Sequence, residues 1–246
     1  MSRTRIVRQK IWSRLAEVAR ADSRFHFDFS EFIPDFEGSD AATDRLFALE
    51  AVASARLVFA TPDNSLIEAR RRLIAAGVTL IVPTYNIHRG FRLIEGGSVP
   101  AAAIAFAAHL DGLEAFGRPI GLEEIAERGR FDVFLTGASA ISAEGIRFGR
   151  GHVYFAIEWG LFSEIGVVDD ATPVVALVHD VQLVEERLYP SPEDVLVDTI
   201  VTPTRSVDIP NRPPRPRGIR FDTLDPDRIE AIPPLKELQR FRGLVR

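Results

Sequence analysis

The sequence predicts an α/β protein: an open, mostly parallel sheet flanked by helices. Three observations carry this expectation. Short, continuously apolar runs alternate with segments of helical period. The apolar runs lack the in-out alternation of half-exposed strands, as strands covered on both faces do. With 246 residues, 46% of them apolar and 26% charged, the chain is long enough for a large core.

The elements follow in order. Residues 3–20 read as an opening helix, with Ile6, Ile11, Leu15 and Val18 on a rough stripe. "ARLVFA" (55–60) reads as a strand, and a helix start follows it: Thr61 can cap, Pro62 suits the first turn, Leu66, Ile67, Leu73 and Ile74 recur at helical spacing, and Gly77 closes the helix. "VTLIVP" (78–83) is the next strand, and residues 84–98, with glycines at 90, 96 and 97, read as loop with short extended pieces. Helices are expected at 100–116 and 121–128, then a strand at "FDVFLTG" (131–137) and turn chemistry in "SAEGIRFGRG". Residues 153–165 read as a helix that docks on the sheet through Tyr154, Ile157, Leu161 and Ile165. "PVVALVHDVQLV" (173–184) and "VLVDTIVTP" (195–203) complete the strands. The whole of 1–246 reads as one α/β domain, with 204–246 a Pro/Arg-rich strap of extended, polyproline-like character and a short closing helix at "IPPLKELQRF".

Composition excludes several classes. The absence of cysteine removes disulfides, thiolate metal ligands and a cysteine nucleophile, and fits a cytoplasmic protein. A net charge of −5 gives no global pull toward nucleic acid, so the arginine-rich tail reads as a surface strap in preference to a nucleic-acid arm. "MSRTRIVRQKIWSRL" lacks the uncharged core of a signal peptide. "GGSVPAAAIAFAAHL" falls short of the ~20 residues of a membrane helix and reads as a buried helix of small residues. His26, His88 and His109 show no metal-ligand spacing, and no GxSxG elbow is present.

The most informative stretch is "RFGRGHVYFAIEWGLF" (147–162). It is neither a Walker loop nor a dinucleotide fingerprint. Gly149 and Gly151 let the backbone bend toward an anion, the helix that follows offers free amides, and Arg150 and His152 can add charge-assisted bonds. A phosphate cradle and a tight turn into a core helix both fit. Thr61 and Asp63 follow a strand end, where open α/β sheets place ligand contacts, so they are read as substrate contacts or helix caps. His179–Asp180 reads as a satisfied polar pair or a catalytic one.

The same stretch resembles the G-[KR]-G-x-G-Y-Y-D motif of the 5-formyltetrahydrofolate cyclo-ligase family. "FLTGASAISAEGIRFGRG", "HDVQLV" and "EDVLVDTIVTP" are similar to other family segments. "IPDFEGSDAATDRL" and "PTRSVDIPNRPPRPRGI" resemble its divergent branch, which includes the methenyltetrahydrofolate synthase domain proteins, and the likeness covers residues 3–240. It implies a sugar-isomerase-like parallel sheet and a small-molecule enzyme using ATP and Mg²⁺. The formyl oxygen of 5-formyltetrahydrofolate is phosphorylated and ring closure to 5,10-methenyltetrahydrofolate expels phosphate. Carried over residue by residue, the resemblance places Arg5, Arg8, Gly149, Arg150, Gly151, His152 and Tyr154 at ATP, with Asp198 and Glu158 as candidates for Mg²⁺. Asp180, Gln182 and Asp194 match local pattern positions without an assigned role.

The chain also departs from the family pattern. Val153 stands for a glycine and is strained if that position needs a positive φ. Ala156 stands for a metal-binding aspartate, Phe155 for the second tyrosine, Ala60 for a folate-contacting glutamate and Glu193 for a histidine. The alternative these departures raise is a catalytically degenerate member that binds a small anion or regulates, with a link to thiamine-related metabolism implied by the divergent branch.

Overall fold

A computed structural model describes residues 10–149, 152–184 and 189–242. Its centre is an eight-stranded sheet in the order β11-β10-β8-β5-β1-β2-β3-β4. The strands are β1 (Leu57–Ala60), β2 (Thr79–Pro83), β3 (Phe91–Ile94), β4 (Arg118–Ile120), β5 (Val133–Thr136), β8 (Val174–Leu177), β10 (Thr199–Val201) and β11 (Ser206–Asp208). The inner five run parallel, β10-β8-β5-β1-β2, and β3, β4 and β11 add antiparallel edges. A separate three-stranded sheet joins β6 (Ala140–Ser142), β7 (Arg147–Phe148) and β9 (Leu183–Val184).

The fold class is as expected, and the differences lie in short pieces. Residues 84–98 contain the strand β3, and the tail contributes β11. The run 173–184 is not one strand: it leaves the large sheet after Leu177, makes a 3₁₀ turn at Asp180–Gln182 and enters the small sheet as β9. Of 195–203, only Thr199–Val201 is strand. These pieces are two to four residues long, and their register depends on which distant strand lies alongside.

Strand alternation divides the core. Phe59 and Ile81 face one layer with Phe91, Phe131, Phe134 and Phe162; Val58, Ala60, Leu80 and Val82 face the other with Leu66 and Leu73. Phe59 stacks on Phe134 at 4.4 Å between ring centroids and meets Phe162 edge-on at 5.2 Å. On the second face lie α1 (Ser39–Phe47) and α2 (Ile67–Ala75), followed in the chain by α3 (Leu110–Phe116) and α4 (Leu122–Arg128). The region 100–116 is broken rather than one buried helix. It has a 3₁₀ turn Ala101–Ala103, a short helix Ile104–Ala107 and then α3, and Phe106 is 52% exposed. A Cβ on Gly112 would lie 1.8 Å from the Phe106 carbonyl oxygen, so the chain turns back on itself too tightly to continue one helix.

The helix expected at 153–165 is α5 (His152–Glu164), and of the expected docking residues Ile157 and Leu161 are buried in the core. Tyr154 and Ile165 are only partly buried, whereas Phe155, Trp159 and Phe162 pack edge-on against Phe134. The second side of α5 is covered as well, so its buried surface wraps around it. A Cβ on Gly160 would meet Ile219 Cδ1 at 2.5 Å, and Trp159 Nε1 donates to the Pro216 carbonyl at 2.9 Å. The tail thus lies directly on α5. It ends in α6 (Pro226–Ala231) and α7 (Pro233–Phe241), which buries Leu235 and Leu238. Among the described residues no helix is long and apolar enough to cross a membrane.

Candidate functional site

The carboxyl ends of β1 and β2 open into a cleft walled on one side by α5. Its geometry begins with the turn after β1. Thr61 Oγ1 donates to Asp63 Oδ2 at 2.5 Å, and the same oxygen accepts from Gly137 N at 2.8 Å. One carboxylate thus ties the end of β1 to the end of β5. Thr61 caps no helix, because a 3₁₀ turn at Asn64–Leu66 intervenes before α2 starts at Ile67. Arg70, fully buried on α2, fastens the turn from beneath: Nη1 donates to the carbonyls of Thr61 (2.7 Å) and Asp63 (2.8 Å), and Nε to that of Ala108 (2.9 Å). Burial pushes its guanidinium down to about 10.

The rim is aromatic and basic. Phe25 stacks on Phe32 and on Tyr85, with centroids at 5.8 and 5.5 Å, and the Arg24 guanidinium lies 5.5 Å from the Phe25 ring. Asp22 holds this corner. Its oxygens accept from the Arg24 side chain (3.0 and 3.2 Å), from Arg24 N (2.7 Å) and from Asn64 Nδ2 (2.8 Å). Those donors outweigh the cost of its burial and hold its carboxyl well below the usual range. On the facing loop, Asn86 and Ile87 both have positive φ, 54° and 59°. For a β-branched residue this is a strained conformation, and Ile87 is held in it by burial, 1% exposed.

Under the cleft lie two buried ionisable groups, a base and an acid. Arg147, 5% exposed, donates from Nε to the Gly137 carbonyl at 2.8 Å and lies over the Phe155 ring at 4.3 Å. Desolvation pushes it down to about 10. Glu158, 3% exposed on α5, lines the same cleft, and its Oε2 has no hydrogen-bond partner among the described residues. Burial raises its carboxyl well above 4.5, Asp63 raises it further and Arg147 opposes.

This has a measurable consequence. In the unfolded chain Glu158 loses its proton near pH 4.5; in the fold it keeps it well above that. Between the two values the folded state binds more protons. Stability is therefore full below about pH 4.5 and falls by about 1.4 kcal/mol per pH unit as pH rises toward the folded value. Glu158→Gln is expected to remove this contribution. In urea unfolding from pH 4 to 9, the stability of the variant relative to the natural chain should grow with pH. A difference that stays constant would mean that Glu158 is ionised in the fold.

The predicted site residues separate into groups. Thr61, Asp63, Tyr154 and Glu158 come together at the cleft. Gly149 has φ 93° and sits three residues before His152, where α5 starts. Arg5, Arg8, Arg150, Gly151 and the side chain of His152 lie outside the described residues. Val153 sits within α5 and is not among the positive-φ residues, so the strain considered for it does not arise. Ala60 is buried in the sheet.

Asp198 does not join the cleft. It precedes β10, at the amino ends of the parallel strands, opposite the cleft. Its Oδ1 accepts from Arg212 Nε (2.6 Å), and its Oδ2 from Arg215 Nη2 (2.5 Å) and Val174 N (2.8 Å). The two carboxylates named for magnesium therefore cannot share an ion. Among the described residues no group of three His, Asp or Glu could hold a metal. The residues present do not fit a magnesium site built from Asp198 and Glu158. The two inward arginines also show that part of the tail's positive charge is neutralised against the body.

His179 and Asp180 form a satisfied pair with a local role. His179 Nδ1 accepts from Val181 N, and Asp180 accepts from the hydroxyls of Thr202 and Thr204. Arg147, Arg70, Asp22, Arg24, Asn64 and Tyr85 were not singled out by the sequence. Arg147 stood within the quoted glycine-rich stretch, and the other five lie in no motif.

A cleft at the carboxyl ends of parallel strands, with aromatic walls and buried polar groups, defines an open α/β protein with a concave surface where such folds place their ligands. Comparison with known proteins makes this specific. The model of the 5-formyltetrahydrofolate cyclo-ligase family matches residues 1–203, and the chain belongs to that family. The methenyltetrahydrofolate synthase domain-containing proteins of Homo sapiens and Mus musculus are each 30% identical to it over 237 residues, 95% of this chain. The chain spans 60% and 62% of the lengths of those two relatives. The solved structure of 5,10-methenyltetrahydrofolate synthetase from Aquifex aeolicus matches with a TM-score of 0.50 at 17% identity, covering 85% of this chain and 94% of that one, which shows a shared fold.

Proposed function

We propose that this chain is a cyclo-ligase-type enzyme that binds 5-formyltetrahydrofolate, or a closely related reduced heterocycle, in the cleft described above. The observation that carries this reading is the cleft: most of its wall comes from the strand ends and from α5, all within the residues that the family model matches. ATP would supply the phosphoryl group that turns the formyl oxygen into a leaving group, after which the substrate's second nitrogen, the anilino N10 outside the pterin ring, would attack the formyl carbon and phosphate would depart.

The chain's own residues have definable tasks in that reading. Phe25, Phe32 and Tyr85 offer apolar faces to a planar ring. Thr61 and Asp63, locked to Gly137, fix the floor that the substrate contacts. The turn at Gly149 and the start of α5 support a polyphosphate, because a helix amino end presents unpaired N–H groups and a positive dipole end.

A second reading has its own observation. Ala156 stands where the family motif carries a carboxylate, and Asp198 is occupied by two arginines. Both favour a member that binds the ligand without turning it over. Calorimetric titration with MgATP, with and without 5-formyltetrahydrofolate, decides between them. Saturable binding of both ligands, with the absorbance of the methenyl product appearing, is the expected result. Folate binding without product would favour the second reading, and binding of neither ligand to folded protein would refute both.

A further inference from the structure

The wall of the cleft contains a buried acid with one oxygen left unpaired among the described residues. Glu158 is 3% exposed and lines the cleft, yet its Oε2 has no partner among the described residues. Such a group is costly for folding, because a buried polar atom forfeits its bonds to water and gains none in return. Its neighbours do not relieve that cost. Arg147 is directed to the Gly137 carbonyl and the Phe155 ring, and the Asp63 oxygen closest to the strand ends is taken by Thr61 and Gly137. α5 itself is anchored through Phe155, Trp159 and Phe162, all packed against Phe134. The Glu158 carboxyl thus sits in the wall of the cleft with one oxygen sealed from solvent and unpaired among the described residues.

We infer that Glu158 is the residue that selects the ligand of this cleft, its free carboxyl pairing with a polar N–H or ring-nitrogen edge of a planar nitrogen heterocycle. A carboxyl in its acid form offers one donor and one acceptor side by side. That matches a ring edge on which an N–H stands next to a carbonyl or an unprotonated nitrogen. It discriminates against a hydrocarbon ring of the same shape, which would leave the acid unpaired. The inference rests on the reading of the cleft as the substrate site and adds to it the group that reads the ring.

The test uses the full chain and two substitutions at one position, with 5-formyltetrahydrofolate and free pterin as ligands in calorimetry, and thermal unfolding in parallel. Glu158→Gln keeps one donor and one acceptor and is expected to bind both ligands within about threefold of the natural chain. Glu158→Leu keeps most of the volume and removes the polar edge. It is expected to weaken both ligands by about 10–100-fold while raising the melting temperature, since an unsatisfied buried oxygen is gone. A structural role for Glu158 predicts the reverse pair, a lower melting temperature with affinity unchanged.

Equal affinity in the natural chain and the Leu variant overturns the assignment of Glu158 and leaves the proposed function standing. Weak binding by the Gln variant and by the Leu variant alike overturns it too, since pairing through a neutral donor and acceptor is then not what matters. If the natural chain binds neither ligand, both the proposed function and this inference fall together.

Discussion

Replacing Asp198 by alanine is expected to cost about 3–5 kcal/mol of folding stability and to leave ligand affinity at the cleft unchanged. The reason is the arginine pair that Asp198 holds. Arg215 is 1% exposed at its side chain and Arg212 10%. Arg215 also reaches the carbonyls of Leu196 (2.8 Å) and Thr172 (3.1 Å) and lies over Trp159, but Asp198 is the one carboxylate to which its side chain makes an ion pair among the described residues. Removing it leaves the buried Arg215 side chain without its ion-pair partner and with only the weaker influence of Asp170, so breaking the pair is strongly destabilising. Arg212 retains Asp170 at 2.7 Å, so the loss falls mainly on Arg215 and on the tail it secures against β8 and β10. At roughly 2–4 °C per kcal/mol for a chain of this size, the melting temperature should drop by about 6–20 °C. Unchanged stability, with magnesium-dependent nucleotide binding lost instead, would restore Asp198 as a metal ligand and refute this account.

The second large effect is expected at Arg70. Substitution by methionine removes a buried charge, which by itself favours folding. Burial pushes the guanidinium down to about 10 against the opposing pull of Asp63 and Asp35, a net cost of about 3 kcal/mol to keeping it charged. Against that stand three charge-assisted bonds to carbonyls, each worth about 1.5–3 kcal/mol, and three carbonyls left without their donor. The losses exceed the gain, and a net cost of about 2–5 kcal/mol is expected. Two of the three bonded carbonyls belong to Thr61 and Asp63, so the floor of the cleft loosens as well, and ligand affinity should fall even in the fraction that stays folded. Lysine is a poor substitute, since one ammonium cannot span the positions reached by Nε and Nη1. Denaturant unfolding and calorimetry on Arg70→Met and Arg70→Lys check both parts; affinity unchanged in a destabilised Met variant would separate Arg70 from the site.

The two residues differ in how far sequence could reach them. Asp198 was legible as a motif position, yet its assignment to magnesium does not survive its surroundings. Its partners Arg212 and Arg215 lie in the proline-rich tail, and nothing local links that tail to β10. Arg70 sits in a helix whose start and end were readable, but among three consecutive arginines (70, 71 and 72) nothing marks which one points inward. Arg71 and Arg72 pair with Glu68 on the helix surface, whereas Arg70 is fully buried. Glu158 was legible as a carboxylate near a phosphate-type motif; its burial and its orphaned oxygen were not.

By itself the sequence determined the α/β class, the five apolar runs that hold the parallel strands, the helix after β1 and the long helix after the glycine turn. It also determined the family, because ordered motifs spread over most of the chain carry that information together. These follow from local patterns: the period of apolar residues, capping and turn chemistry, and spacing. The tertiary structure alone decided the antiparallel edges, the division of 173–184 between two sheets, the buried faces of α5 and the chemical state of each carboxylate. Hydrogen bonding and desolvation depend on atoms brought close from distant parts of the chain. Asp198 is governed by Arg212, Arg215 and Val174, and Glu158 by Asp63 and Arg147, and no local pattern in the sequence encodes those distances.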